Sequence, residues 1–227
     1  MRGFATLIAI STAMAAAGTA VAAGPDEVNL SGQGAWAADR FYVHVGPGAL
    51  IMNEGATIKE AGVTIPGATI SIAPQVTAVG EVGYFFNRNI AISFTGGYPP
   101  TATVVAAGSL AGYGTVGRAT YGPVTITAHY HFTGLGRFKP YVGAGPVLMV
   151  VLKNEDGLMT DLHTHASTGF AVQGGAEVAV DRHWGVFFDV KKALLKTNAT
   201  GYLGPDHVTA RIRMDPLVLN GGLAYRF

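Results

Sequence analysis

The sequence predicts an all-β fold, an eight-stranded antiparallel transmembrane β-barrel with short periplasmic turns and long extracellular loops. Three observations point there. The 227-residue chain is 49% hydrophobic and only 13% charged, against roughly 25% charged residues in soluble domains. Its longest apolar run, Pro140 to Leu152, is interrupted by Gly143, Gly145 and Pro146 and falls short of the about 20 residues of a membrane helix. That combination leaves a large soluble core or a barrel. The second observation is alternation near the C-terminus. Leu217, Leu219, Gly221, Leu223, Tyr225 and Phe227 fall on one face, and Val218, Asn220, Gly222, Ala224 and Arg226 on the other. A strand with one lipid-tolerant face and one smaller, more polar face suits a barrel wall. Third, the connections alternate strictly between short and long, an asymmetry of outer-membrane barrels that a soluble sandwich has no reason to show.

The elements follow in chain order. Residues 1–23 read as a cleaved secretory signal peptide, with Arg2 at the positive start, an apolar run from Phe4 to Met14, and Val21-Ala22-Ala23 at the cleavage site. Residues 24–39 form a polar, Gly-rich periplasmic lead-in, and 40–227 the barrel. Strand one covers about Arg40 to Met52, and a long loop leads to about Ser71. Strand two, Pro74 to Phe86, sets Val76, Ala78, Gly80, Val82 and Tyr84 against Gln75, Thr77, Val79 and Glu81. Asn87-Arg88-Asn89 is a tight turn by composition. Strand three starts at Ile90 and ends before Pro99-Pro100. After a long loop, strand four, Pro123 to Phe132, opposes Val124, Ile126, Ala128 and Tyr130 to Thr125, Thr127, His129 and His131. A short connection to Arg137 precedes strand five, Phe138 to Leu152. A third long loop leads to strand six, Thr168 to Val180. Asp181-Arg182-His183 turns into strand seven, Trp184 to Leu194, and strand eight takes His207 to Phe227. Gly46-Pro47 and Gly145-Pro146 fall mid-strand and predict bulges, because proline cannot donate to a ladder. Phe41, Tyr42, Tyr84, Phe85, Phe86, Tyr130, Phe132, Phe138, Tyr141, Trp184, Tyr225 and Phe227 gather at the short-turn ends, as an interfacial aromatic girdle would.

Phe138-Lys-Pro-Tyr-Val-Gly-Ala-Gly145, Asn87-Arg-Asn-Ile90, Asp181-Arg-His-Trp184, Arg213-Met-Asp-Pro216 and Ala224-Tyr-Arg-Phe227 resemble the OmpW-type outer-membrane proteins. The resemblance covers most of the mature chain. It implies a monomeric eight-stranded barrel for passive uptake of small hydrophobic compounds. The family narrows its channel with large apolar side chains at positions that here carry Thr95 and Lys191, so such a gate does not carry over. Leu223, Tyr225 and Phe227 resemble the signal that the barrel-assembly machinery reads. Expected partners are therefore that machinery, outer-membrane lipids and small hydrophobic solutes. The formal net charge of +1 gives no reason to expect nucleic acid.

An eight-stranded barrel has an interior just wide enough for side chains. Strand parity puts Glu81, His129, His131, Glu177, Asp189, Lys191 and Arg226 inside, where they should pair as a polar plug in the periplasmic half, since a lone buried charge is costly. Hydrophobic cargo then has to enter from above and leave sideways into the bilayer. Leu50, Met52, Leu158, Met159, Leu162, Leu194, Leu195, Tyr202 and Leu203 lie near the strand tops and would line such a mouth. The runner-up is a structural or surface-interaction barrel with a sealed lumen and partner-binding loops. The pairs His129/His131 and His163/His165 share a strand face but come with no third ligand, so no metal is expected. No nucleophile–base motif or phosphate-cradling glycine loop is present, so neither catalysis nor a cofactor is expected.

Overall fold

The computed structural model describes residues 40–227, and the expected signal peptide and lead-in lie outside the described residues. Fourteen strands follow in chain order: β1 (Phe41–Ile51), β2 (Gly55–Glu60), β3 (Val63–Thr64), β4 (Ala68–Ile72), β5 (Gln75–Phe85), β6 (Ile90–Gly97), β7 (Thr101–Gly108), β8 (Thr115–His131), β9 (Phe138–Asp156), β10 (Thr160–Thr164), β11 (Ser167–Ala179), β12 (Trp184–Leu203), β13 (Asp206–Arg213) and β14 (Leu217–Arg226). Eight of them close the barrel. β1 pairs with β5, β5 with β6, and so on through β8, β9, β11, β12 and β14, and β14 pairs back with β1, every step antiparallel. Closure leaves no sheet edge in the lipid.

Period-two patterning explains which face goes where. On β12, Trp184, Val186, Phe188 and Leu194 are exposed on the outer face, while Phe187, Asp189, Lys191 and Ala193 between them are buried. The short turns are set by local side chains. Asn87 Oδ1 accepts from the backbone N–H groups of Asn89 and Ile90, both at 2.9 Å. Asp181 Oδ1 accepts from His183 N at 2.8 Å and Trp184 N at 2.7 Å. These are Asx turns, which mimic a backbone turn.

The long loops differ from expectation. They are largely β-structure that carries the wall beyond the bilayer. A tilted strand crosses in about 9–11 residues, whereas β8, β9 and β12 have 17, 19 and 20. Their surplus lengths pair with strands of the former loops and with the upper part of strand eight: β7 pairs with β8 and β4, β10 and β13 with β12, and β2 with β13 and β3. Strand eight is likewise interrupted at Met214–Pro216, where Asp215 has φ 29°, and resumes along β12 in the same register. Asp215 Oδ1 fills the gap by accepting from Leu195 N at 3.1 Å. Below the interruption Leu217 faces lipid; above it Arg211 and Arg213 share that outer face in water.

Two further expectations are corrected. The register of β1 on β5 runs unbroken through Gly46 and Pro47, and that of β11 on β9 through Gly145 and Pro146, so neither pair makes a bulge. Glycine lets the neighbouring backbone close in instead, since a Cβ on Gly46 would lie 2.1 Å from Gly221 O. Tyr42, Phe85 and Tyr141 also do not join the girdle. Their parity is inward and they are buried in the lumen. Phe41, Phe86, Tyr130, Phe132, Phe138, Trp184 and Phe227 stand exposed on the outer face, where an aromatic belt belongs.

Candidate functional site

The lower lumen is filled by a connected polar network. Inward glycines make room for its large rings. A Cβ on Gly83 would sit 2.1 Å from the Tyr42 ring, and one on Gly175 would sit 2.6 Å from Tyr141 Oη; each tyrosine lies across from its glycine in the register. Lys191 Nζ donates to Glu81 Oε2 at 2.8 Å and to Asp189 Oδ1 at 2.9 Å. Thr95 and Tyr42 hydroxyls donate to Glu81 at 2.8 and 3.1 Å. Asp189 Oδ2 accepts from Tyr141 Oη and Gln173 Nε2, both at 3.0 Å. Arg226 grips Glu177 through Nε at 3.2 Å and Nη2 at 3.0 Å, a two-pronged geometry suited to a guanidinium. His44 spans the two clusters, 3.6 Å from Glu81 and 3.4 Å from Glu177, with its ring stacked on Phe187 at 4.3 Å.

The structure thus brings all seven inward residues of the sequence reading into one lumen. His129 and His131 belong to it without forming a ligand set. His129 Nε2 lies 2.8 Å from Thr127 Oγ1 and 3.0 Å from Ser93 Oγ, and its ring stacks on Tyr141. His131 is packed against the rings of Phe85 and Tyr141 at 4.7 and 4.9 Å. The Ser93–His129 contact has the reach of a nucleophile and base, yet both residues are enclosed and neither lines the cavity above. Among the described residues no group of three or more His, Cys, Asp or Glu could hold a metal. His163 in the outer hairpin is 3.9 Å from Asp161 and exposed. Sequence reasoning missed Tyr42, His44, Ser93, Thr127, Tyr141 and Gln173. Parity could have found them, because Tyr42 and His44 share a strand face with each other.

Above the network the interior turns apolar. Leu50, Met52, Leu162 and Leu195 are buried in one cluster with Ile58, Ile70, Tyr121, Val147, Met149, Ile212 and Met214, and Met159 and Leu203 pack against it. The other three expected mouth residues are placed elsewhere. Leu158, Leu194 and Tyr202 are 38%, 58% and 42% exposed. Leu194 and Tyr202 have outward parity on β12, and Leu158 sits at the tip between β9 and β10. At the C-terminus Leu223 and Phe227 are exposed on the outer face, with Tyr225 against Trp184 at 4.7 Å.

Between cluster and network lies a cavity of about 50 Å³. Leu50, Val79, Val147, Ala171, Ala193 and Val218 form its walls, and Thr95, Thr125, Lys191 and Asn220 its floor. One side is different. The β6–β8 ladder stops at Thr95↔Thr125, and Gly96, Gly97, Tyr98, Pro100 and Pro123 complete the lining there. Prolines supply no ladder donors. The next backbone bond above is Tyr121 N to Pro100 O at 3.1 Å.

The OmpW family model matches residues 37–227. The outer membrane protein AlkL of Ectopseudomonas oleovorans is 31% identical over 195 residues, 86% of this chain and 83% of AlkL. The dibenzothiophene metabolism operon protein PahQ of Pseudomonas aeruginosa is 29% identical over 85% of this chain and 91% of its own length. Among solved structures, AlkL in lipid bilayers matches with a TM-score of 0.67 and 27% identity, covering 92% of this chain and 94% of that one. OprG of Pseudomonas aeruginosa matches with a TM-score of 0.79 at 19% identity, over 84% and 97%, a likeness of fold alone. The closed barrel, its apolar outer band and this match along nearly the whole described chain lead to one assignment: the protein is an outer-membrane β-barrel belonging to the OmpW family.

Proposed function

We propose that the protein is a non-catalytic, monomeric channel for passive uptake of small hydrophobic molecules, which enter at the apolar upper interior and leave sideways into the bilayer between β6 and β8. The observation that carries this reading is the cavity. It lies below the apolar cluster and over a floor closed by charge, and on one side, lined by Gly96, Gly97, Pro100 and Pro123, the β6–β8 ladder has already ended at Thr95↔Thr125. Apolar cargo gains nothing by crossing Glu81, Lys191 and Asp189, whose hydrogen bonds it could not replace. A short lateral step into lipid costs it little. Dibenzothiophene, in the name of one relative, belongs to this apolar class of compound. The test is uptake of a labelled alkane by protein-containing vesicles, followed with a reporter that separates bilayer from vesicle lumen. Val147→Asp places a charge in the cavity wall and should cut the rate at least about tenfold, the cost of burying an unpaired carboxylate, while heat-dependent gel mobility stays unchanged. Wild-type rates in that variant, or cargo arriving first in the vesicle lumen, would defeat the proposal.

A further inference from the structure

The outer face of the barrel carries a basic patch at the height where the apolar band ends. On β12 the exposed positions run Trp184, Val186, Phe188 and Leu194, and then Lys196. On the neighbouring β13 and β14 the same face runs down from the exposed Arg211 and Arg213 through the half-buried Leu217 to the exposed Leu223. Lys196 is directly opposite Arg213 in the register, Arg211 is two residues along on the same face, and Lys59 on β2 stands opposite Thr209. Lys192, opposite Leu217, is half-buried and donates to the carbonyl of Asp215. With strands about 4.8 Å apart and same-face residues about 6.6 Å apart, Lys59, Lys196, Arg211 and Arg213 lie within roughly 16 Å, and Lys192 lies about 13 Å below Lys196.

Five cations of the patch meet one carboxylate. Asp215 reaches Arg213 at 3.4 Å, but its side chain is mostly buried and also accepts from Leu195 N. Among the described residues Lys59, Lys196 and Arg211 make no ion pair. Across the barrel the comparable cations are neutralised, with Glu155 at 2.7 Å from Lys153 and 3.9 Å from Arg118. Like charges directly opposite in a sheet are destabilising, so the Lys196–Arg213 pair costs stability unless an anion sits between them. A water-exposed site at the upper edge of the lipid-facing surface meets lipid head groups before any other anion.

We propose that this face, Lys59, Lys192, Lys196, Arg211 and Arg213, is a binding site for a phosphorylated lipid head group of the outer leaflet. Phosphate oxygens accept from several Arg and Lys donors at once, and the acyl chains continue down the wall past Leu194, Leu217 and Val190. The site depends on the position of the barrel in the membrane and not on the uptake reading, so the two fail separately.

The test uses the full-length mature barrel in nanodiscs of zwitterionic lipid, titrated with lipid A bearing two phosphates and with the same lipid dephosphorylated. Phosphorylated lipid should bind at least about thirtyfold more tightly, from about two charge contacts at the surface, and its affinity should fall with added salt. K196Q with R213Q should remove most of that preference, and R118Q with K153Q on the opposite side should leave it within about twofold. Equal binding of the two lipids by the wild-type protein overturns the proposal without reference to any variant. Equal losses in the two double variants, or competition by inorganic phosphate at the same concentration as the lipid, do so as well.

Discussion

Below Thr95 the lumen is packed with charge, with Glu81, Asp189, Lys191 and Glu177 each held by two or more hydrogen bonds; above Val79 the same strands line an interior of Leu, Ile, Val, Met and Ala. Both halves are inward-facing positions of one barrel with one parity. The difference is residue type alone, and it shows that burial inside a barrel need not mean an apolar interior. The lower half is closed because complementary charges satisfy one another across the lumen. The upper half keeps a cavity because apolar side chains make no directional demands, and because β6 and β8 part company at two prolines.

Removing one partner from the lower half is the sharpest way to break this contrast. Lys191→Met leaves Glu81 and Asp189 buried without their cation and should cost about 3–5 kcal/mol, read as a lowered midpoint of heat- or urea-dependent gel mobility. Adding Glu81→Gln should restore part of the loss; a single variant as stable as wild type would mean that the network is decoration. In the upper half Leu195→Ala should cost less, about 2 kcal/mol, the lower end for such truncations. The cluster there contains Met52, Met149, Met159 and Met214, flexible side chains that fill gaps. A larger loss than in Lys191→Met would reverse the ranking of the halves. The smallest effect lies outside both, in the periplasmic turn. The backbone N–H groups of Trp184 and His183 hold the Asp181 carboxyl below its ordinary range. Its contribution to stability is therefore present above about pH 4, the ordinary aspartate value, and is lost as pH falls through the lowered one. The stability difference between wild type and Asp181→Asn should shrink between about pH 5 and pH 3; a difference that is flat with pH would show that the turn does not depend on the charge.

Much of the barrel was legible in the chain because period two is a local property. Ala91, Ser93 and Thr95 alternate with Ile90, Ile92 and Phe94 within one strand, and no distant contact is needed to sort them. The aromatic girdle was read less well. Tyr42 and Tyr141 look like belt residues by position and differ only in parity, and they face inward because Gly83 and Gly175 across the ladder leave space for a ring. The long loops were the largest miss. Segments such as Gly55–Glu60 and Thr101–Gly108 fall within the expected loops, yet they gain their strand form by pairing with β13 and with the top of β8.

The sequence by itself determined that the chain is all-β, how many strands form the closed wall, which side chains turn inward and where the short turns fall, since alternation and turn chemistry act over a few neighbouring residues. Only the tertiary structure decided which carboxylate meets which cation, that His44 spans the two clusters, that the wall continues beyond the bilayer, and that one ladder ends at Thr95 and Thr125. Those features join residues as far apart in the chain as Gly55 and Arg213, and register, shear and closure, which no local pattern encodes, set who meets whom.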